Sequence, residues 1–254
     1  MTNPWAYILW ITVLGTLLNS IGITAGYLHR ERLSMAFLWS AVAVQGLFIL
    51  WLWMALSHPP MRTMGDTRLW YTFFLYLSGA AVFTIYRFRW ISIFTTVLGL
   101  VFNIINIARP ELHTEPLQPV LQSAWFIPHV SIYMFSYAVL GCATLLMLIN
   151  LYRYSPDRQQ AANRLLRLGI ALFGIGMLLG ALWAKQAWGN YWSWDAKETW
   201  AAIAWTLYLT ALHCDRKHTK TAAIVSLVAF MALQMCWWGI RYLPQAADSA
   251  HVYG

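Results

Sequence analysis

The sequence predicts an all-α fold: a polytopic membrane helix bundle of about eight transmembrane helices, with both termini outside. Three observations predict it. Of 254 residues, 60% are hydrophobic and only 10% charged, and the mean hydropathy is +0.54. Soluble domains carry about 25% charged residues. The apolar residues are gathered into long uncharged stretches near the ~20 residues a helix needs to cross a bilayer. The cations behind the +8 net charge sit in short connections between those stretches. That pattern speaks for orientation in a membrane rather than for a nucleic-acid partner.

The predicted spans are, in order, Trp5–Tyr27, Met35–Leu56, Leu69–Tyr86, Trp90–Ala108, His129–Tyr152, Leu166–Ala187, Thr199–His213 and Ala222–Ile240. Each offers an apolar interior in which backbone groups are satisfied within the helix. The third and fourth are parted only by Arg87-Phe88-Arg89. His129 opens the fifth, after Trp125-Phe126-Ile127-Pro128. The seventh has a short apolar core, and Asp195-x-x-Glu198 ahead of it reads as an N-cap with its capping-box partner. Connections after odd-numbered spans hold Arg30, Arg32, Arg87, Arg89, Arg153, Arg158, Arg164, Arg167, Arg216, Lys217 and Lys220. The opposite side holds Arg62, Arg68, Arg109, Lys197 and Arg241, and Lys185 lies at a helix end. The cation-rich side faces inward. Residues 57–68, 109–128, 188–198 and 241–254 are then the outer segments. With no internal repeat or low-complexity segment, residues 1–254 read as a single membrane domain.

Cys142, Cys214 and Cys236 form no Cys-x-x-Cys pair and read as small buried residues. No Lys or Arg precedes the first apolar run, so the N-terminus does not resemble a cleavable signal peptide.

The segment Trp188-Gly189-Asn190-Tyr191-Trp192-Ser193-Trp194-Asp195-Ala196-Lys197-Glu198-Thr199-Trp200 is the most unusual in the chain. Interfacial belts use a scattered Trp or Tyr at each helix end, whereas here aromatics crowd into one outer loop. If the stretch were helical, Trp188, Tyr191 and Trp192 would share a face. The result is a partly polar platform suited to a large planar apolar ligand. Among seven histidines, His129 and His251 share the outer side with this loop, and imidazole is a common axial ligand of haem iron. His213 closes the seventh span at its inner end. His29 and His218 read as inner-loop residues, and His58 and His113 as outer-loop residues.

Trp188-Gly189-x-x-Trp192-x-Trp194-Asp195 resembles the tryptophan-rich WWD signature of haem-handling proteins in cytochrome c maturation. Its extension through Lys197-Glu198-Thr199-Trp200 resembles the CcsA (ResC) type, a subunit of the system II cytochrome c synthase. Residues 121–131, containing Trp125, Pro128 and His129, and residues 249–254, containing His251, are similar to the same type. The similarity covers residues 117–254; residues 1–116 match only as hydrophobic spans. Ala196 stands where the family commonly has Pro.

The resemblance implies haem b as cofactor. Trp188, Gly189, Tyr191, Trp192, Trp194 and Asp195 would lie against the macrocycle, with His129 and His251 as axial ligands. His213 would ligate iron at an inner site. The implied partners are a CcsB (ResB) synthase subunit and apocytochrome c with its Cys-x-x-Cys-His, joined to haem by two thioethers within a haem lyase complex. The membrane is a bacterial inner membrane with the loop facing the periplasm, or a plastid thylakoid membrane. Three readings compete. A haem exporter or chaperone of the CcmC type binds haem without synthase activity. A cytochrome b holds haem between histidines buried within helices, and a secondary transporter has broken helices and midplane charges.

Overall fold

The computed structural model describes residues 3–113, 123–214, 219–237 and 239–242. Among these the fold is all-helical, with eight α-helices: α1 Ile8–Tyr27, α2 Glu31–Leu56, α3 Met64–Tyr86, α4 Arg89–Ala108, α5 Phe126–Tyr152, α6 Pro156–Trp188, α7 Ala196–His213 and α8 Thr219–Trp237. Seven are long and apolar enough to cross a membrane, so the chain is a polytopic membrane protein. The exception is α7, the short seventh span. Its 18 residues include Lys197 and Glu198 in the first turn and His213 at the end.

The chain divides into two compact units, residues 1–117 and 118–254. In the first, α1 packs on α2 and α4, α2 on α3, and α3 on α4. The second repeats that plan: α5 packs on α6 and α8, α6 on α7, and α7 on α8. Each unit is thus a closed four-helix arrangement in which sequence neighbours are spatial neighbours.

Local chemistry sets the helix limits. Thr63 Oγ1 accepts from Asp66 N (3.1 Å) and Asp66 Oδ2 accepts from Thr63 N (3.0 Å), a capping box that starts α3 at Met64 rather than Leu69. Arg87 adopts φ 60°, a left-handed conformation that stops α3, and α4 resumes at Arg89. The break expected at Arg87-Phe88-Arg89 is therefore real. Helix α6 begins at Pro156 rather than Leu166, behind the cap residue Ser155. At about 1.5 Å per residue its 33 residues span about 50 Å, more than a bilayer needs. Its early turns carry Asp157, Arg158, Arg164 and Arg167.

The core of the first unit has two apolar clusters. One gathers Trp5, Ile8, Phe48, Ile49, Leu52 and Leu69, and the other Leu38, Val42, Tyr76, Ala80 and Phe83. The second unit is cross-linked by polar pairs. Ser136 Oγ donates to Gly169 O (2.8 Å), Trp205 Nε1 to Ile170 O (3.2 Å), and the Thr144 and Tyr208 hydroxyls meet at 3.3 Å. Cys142 and Cys236 are buried thiols and Cys214 is partly buried, with no disulfide.

Candidate functional site

At one end of the second unit, the start of α5 meets the end of α6. Pro128 occupies the first turn of α5, where a missing N–H costs nothing, and His129 follows it. The imidazole lies in a slot between the two helices. Its Nδ1 is 2.8 Å from Gly176 O. A carbonyl only accepts, so Nδ1 carries the proton and the lone pair resides on Nε2. The slot exists because position 180 is glycine. A Cβ there would stand 2.6 Å from His129 Cε1 and 2.9 Å from Nδ1. Gly176 and Gly180 are one turn apart on α6, a small-residue pair that lets helices approach closely in membranes. Tyr133 meets the imidazole edge-on at 4.7 Å, and Trp183 lies 5.8 Å away.

The aromatic loop begins where α6 ends. Gly189, at φ 83°, takes the left-handed cap position and its N–H donates to Lys185 O (3.1 Å). Lys185 Nζ donates back to Gly189 O (2.6 Å) and lies 5.4 Å from the centre of the Tyr191 ring. Residues 189–195 are not helical. The shared helical face of Trp188, Tyr191 and Trp192 therefore does not form, because the chain leaves the helix at Gly189 and turns again at Trp194, φ 59°.

Something must hold a tryptophan in that conformation, which costs about 1–3 kcal/mol in a non-glycine residue. Glu198 does so. Its Oε2 accepts from Ser193 N (2.7 Å), Ser193 Oγ (3.3 Å) and Asp195 N (3.3 Å), while Asp195 Oδ1 accepts from Glu198 N (2.8 Å). Thr199 Oγ1 donates to Trp194 O (3.1 Å). Asp195 is thus the N-cap of α7, and buried Glu198 clasps the loop by charge-assisted hydrogen bonds.

Rings line the result. Trp188 packs edge-on against Trp183 at 4.8 Å, and Trp183 leads on to His129 and Phe126. Trp192 and Trp194 meet at 5.7 Å, nearly perpendicular. Tyr191 and Trp194 are exposed, whereas Trp192 is half-buried. The Trp192 indole N–H is buried and meets no acceptor among the described residues. Beneath the loop, Cys236 Sγ on α8 lies 3.5 Å from Lys197 O and takes a bond from Tyr137 OH (3.7 Å).

His129 and the loop are thus brought to one end of one unit. His213 is not with them: it ends α7, about 26 Å along the helix from its start. It is exposed, its Nδ1 2.8 Å from Leu209 O. His251 and residues 121 and 122 lie outside the described residues. Among the described residues, no three His, Cys, Asp or Glu side chains converge as a metal site. Gly176, Gly180 and Trp183 escaped the sequence reading, and Lys185 was read only as a charge at a helix end. The Gly-x-x-x-Gly spacing of 176 and 180 was the available signal for the two glycines, and the one-turn Lys185–Gly189 spacing for the lysine.

These features define a helical membrane protein with a clasped tryptophan loop beside an oriented histidine. The chain belongs to the cytochrome C assembly protein family, which it matches over residues 64–247, and within it to the CcsA type. The cytochrome c biogenesis protein CcsA of Chlamydomonas reinhardtii is 29% identical over 230 residues, 82% of this chain and 64% of that protein. The protein of the same name from Mesostigma viride is 29% identical over 245 residues, 80% of this chain and 79% of its own. That from Nymphaea alba is 33% identical over 180 residues, 54% and 58%. The chain therefore spans less than two thirds of the Chlamydomonas and Nymphaea relatives.

Proposed function

We propose that the second unit binds haem b at its loop end and presents it for covalent attachment to apocytochrome c, as the haem-handling subunit of a cytochrome c synthase. The observation that carries this reading is His129, held as the Nδ1–H tautomer by Gly176 O in a glycine slot next to the aromatic loop. A metal-ligating imidazole is normally fixed in this way, its second nitrogen donating to a carbonyl. The residues fit a porphyrin in a second respect. The buried Trp192 N–H offers a donor to a polar edge while Trp188, Tyr191 and Trp194 offer ring faces. Haem supplies an iron for coordination and two vinyl groups. Addition of a cysteine S–H across each vinyl forms one S–C and one C–H bond without net oxidation.

The protein's share is positioning. His129 and His251 would hold the iron on the outer side, through the imidazole nitrogens, until the cytochrome's own histidine is offered. His213 serves an inner site with a counterpart outside this chain, on a CcsB (ResB) subunit. The loop end faces outward, to a periplasm or its equivalent.

The test is the visible spectrum of detergent-purified protein, wild type beside His129→Ala and His251→Ala. A low-spin reduced spectrum in the wild type, lost or turned high-spin in the variants, is the expected result. Wild-type protein with no haem absorption, even when co-expressed with its partner and supplied with haem, overturns the reading. Thioether formation separates synthase from CcmC-type chaperone.

A further inference from the structure

The first unit lacks an aromatic loop, but its interior is unusual for a membrane bundle. Along the buried face of α4 run Ser92, Thr96, Gly99, Asn103 and Asn106, three or four residues apart. That spacing places them on one stripe, about 21 Å long from Ser92 to Asn106. Ser92, Asn103 and Asn106 are each at most 2% exposed. Ser92 Oγ, Thr96 Oγ1, both polar atoms of the Asn103 amide and Asn106 Oδ1 meet no protein partner among the described residues.

Other helices of the unit continue the pattern. On α2, Gln45 donates to Leu69 O (3.4 Å), yet its Oε1 has no donor. The Tyr76 hydroxyl on α3 and the Thr16 hydroxyl on α1 lie near one another but outside hydrogen-bonding geometry. Register ties these groups together. Asn106 Nδ2 donates to Gly65 O (3.0 Å) and Thr72 Oγ1 contacts Gly99 O (3.3 Å). On antiparallel helices this sets Asn103 level with the Leu69 turn, where Gln45 also docks.

Hydroxyls in membrane helices have a local solution, donation to the carbonyl one turn back. Thr12, Ser40, Thr72 and Thr84 adopt it. Ser92, Thr96 and Thr16 do not. Asn19 donates its amide to Gly15 O in the same way (3.1 Å), but Asn103 does not, and its acceptor oxygen has no such local donor. Buried polar atoms that find no protein partner are normally met by ordered water, which needs two to four polar groups around it. A stripe of uncharged donors and acceptors with two turns of matching groups opposite supplies them.

We infer that the first unit binds a column of water along the inner face of α4, centred on Asn103 and reaching the Tyr76–Thr16 pair. The stripe on α4 carries hydroxyls and carboxamides and no charged group, which suits water; the buried guanidinium of Arg68 stands at the same level on α3 and adds donors, not acceptors. The column makes part of this unit polar within the thickness of the membrane.

Hydroxyl-radical labelling by X-ray pulses tests this on the full chain in lipid nanodiscs, because the radical forms from water next to the residue it oxidises. Tyr76 and Tyr208 form a matched pair. Both are at most 2% exposed, but the Tyr208 hydroxyl is paired with Thr144. The expected result is several-fold faster oxidation of Tyr76 than of Tyr208. The double variant Asn103→Leu, Thr96→Val brings the Tyr76 rate down to that of Tyr208 and leaves Tyr208 unchanged. Equal rates in the wild type overturn the proposal, whether or not the variant folds. An unchanged Tyr76 rate in a folded variant overturns the assignment to α4.

Discussion

The two four-helix units share a connectivity but not a way of treating polar groups. In the second, polar side chains are paired: across helices Ser136 with Gly169, Thr144 with Tyr208 and the part-buried Trp205 with Ile170, and within the loop ahead of α7 Glu198 with three donors. Among its described residues only Arg158 Nε and Trp192 Nε1 are buried without a partner. In the first unit, the amide of Asn103 and the hydroxyls of Ser92, Thr96 and Thr16 are all unmet by protein. The difference teaches that hydropathy and helix plan leave open whether a membrane bundle is dry. A dry, cross-bonded unit holds an imidazole and a loop in one geometry; a unit with unmatched polar groups suits solvent.

Four experiments break or sharpen that contrast. The largest effect is expected at the His129 slot. Gly180→Ala places a methyl group against the imidazole and costs about 1–3 kcal/mol as overpacking. On the proposed function it also strips haem from the protein, seen as loss of the absorption band; retention of a wild-type spectrum would remove the slot from the argument. Next is the clasp. Glu198→Ala leaves the Ser193 and Asp195 amides without their acceptor, at about 1–3 kcal/mol, whereas Asp195→Ala costs about 1 kcal/mol as a lost N-cap. Thermal unfolding followed by tryptophan fluorescence measures both. Their reciprocal bonds predict that the double variant loses less than the sum.

The third experiment compares the units directly. Thr144→Val removes a paired hydroxyl and should cost about 1 kcal/mol. Asn103→Leu replaces an amide without protein partners by an apolar group of similar shape, which is near neutral. A large loss at Asn103 and none at Thr144 would reverse the comparison.

The smallest effect is a pH dependence in the first unit. His113 stacks flat on Trp5 with ring centres 3.9 Å apart. Burial pushes its pKa below the ordinary 6.5. The unfolded chain then binds a proton that the folded one refuses, so this contribution is intact above 6.5 and is lost as pH falls below it. Wild type should lose thermal stability between about pH 7.5 and pH 5.5 relative to His113→Phe, which keeps the stacking and cannot titrate. Parallel curves would exclude His113 as the cause.

How far the sequence could be read differs from element to element. Apolar runs located all eight helices, yet α3 and α6 start earlier than hydropathy indicates. Thr63 with Asp66, and Ser155 with Pro156, begin those helices in polar residues, which a search for apolar length passes over. The tryptophan loop and its Asp195–Glu198 cap were legible because both are contiguous. The Glu198 clasp on Ser193 was only half legible: the capping partner is written in the spacing, but the bonds to Ser193 depend on the turn at Trp194. Lys185 looked like a charge at a helix end, and only the left-handed Gly189 brings its ammonium onto the loop.

By itself the sequence determined the helix content, the membrane class and the position of the aromatic loop, because apolar length, caps and turns act over a few neighbouring residues. Only the tertiary structure decided which nitrogen of His129 carries the proton, which glycine makes room for it, and that the Asn103 amide is buried without a protein partner among the described residues. Those outcomes depend on what stands opposite a side chain on another helix, and hydropathy along one helix carries no information about that.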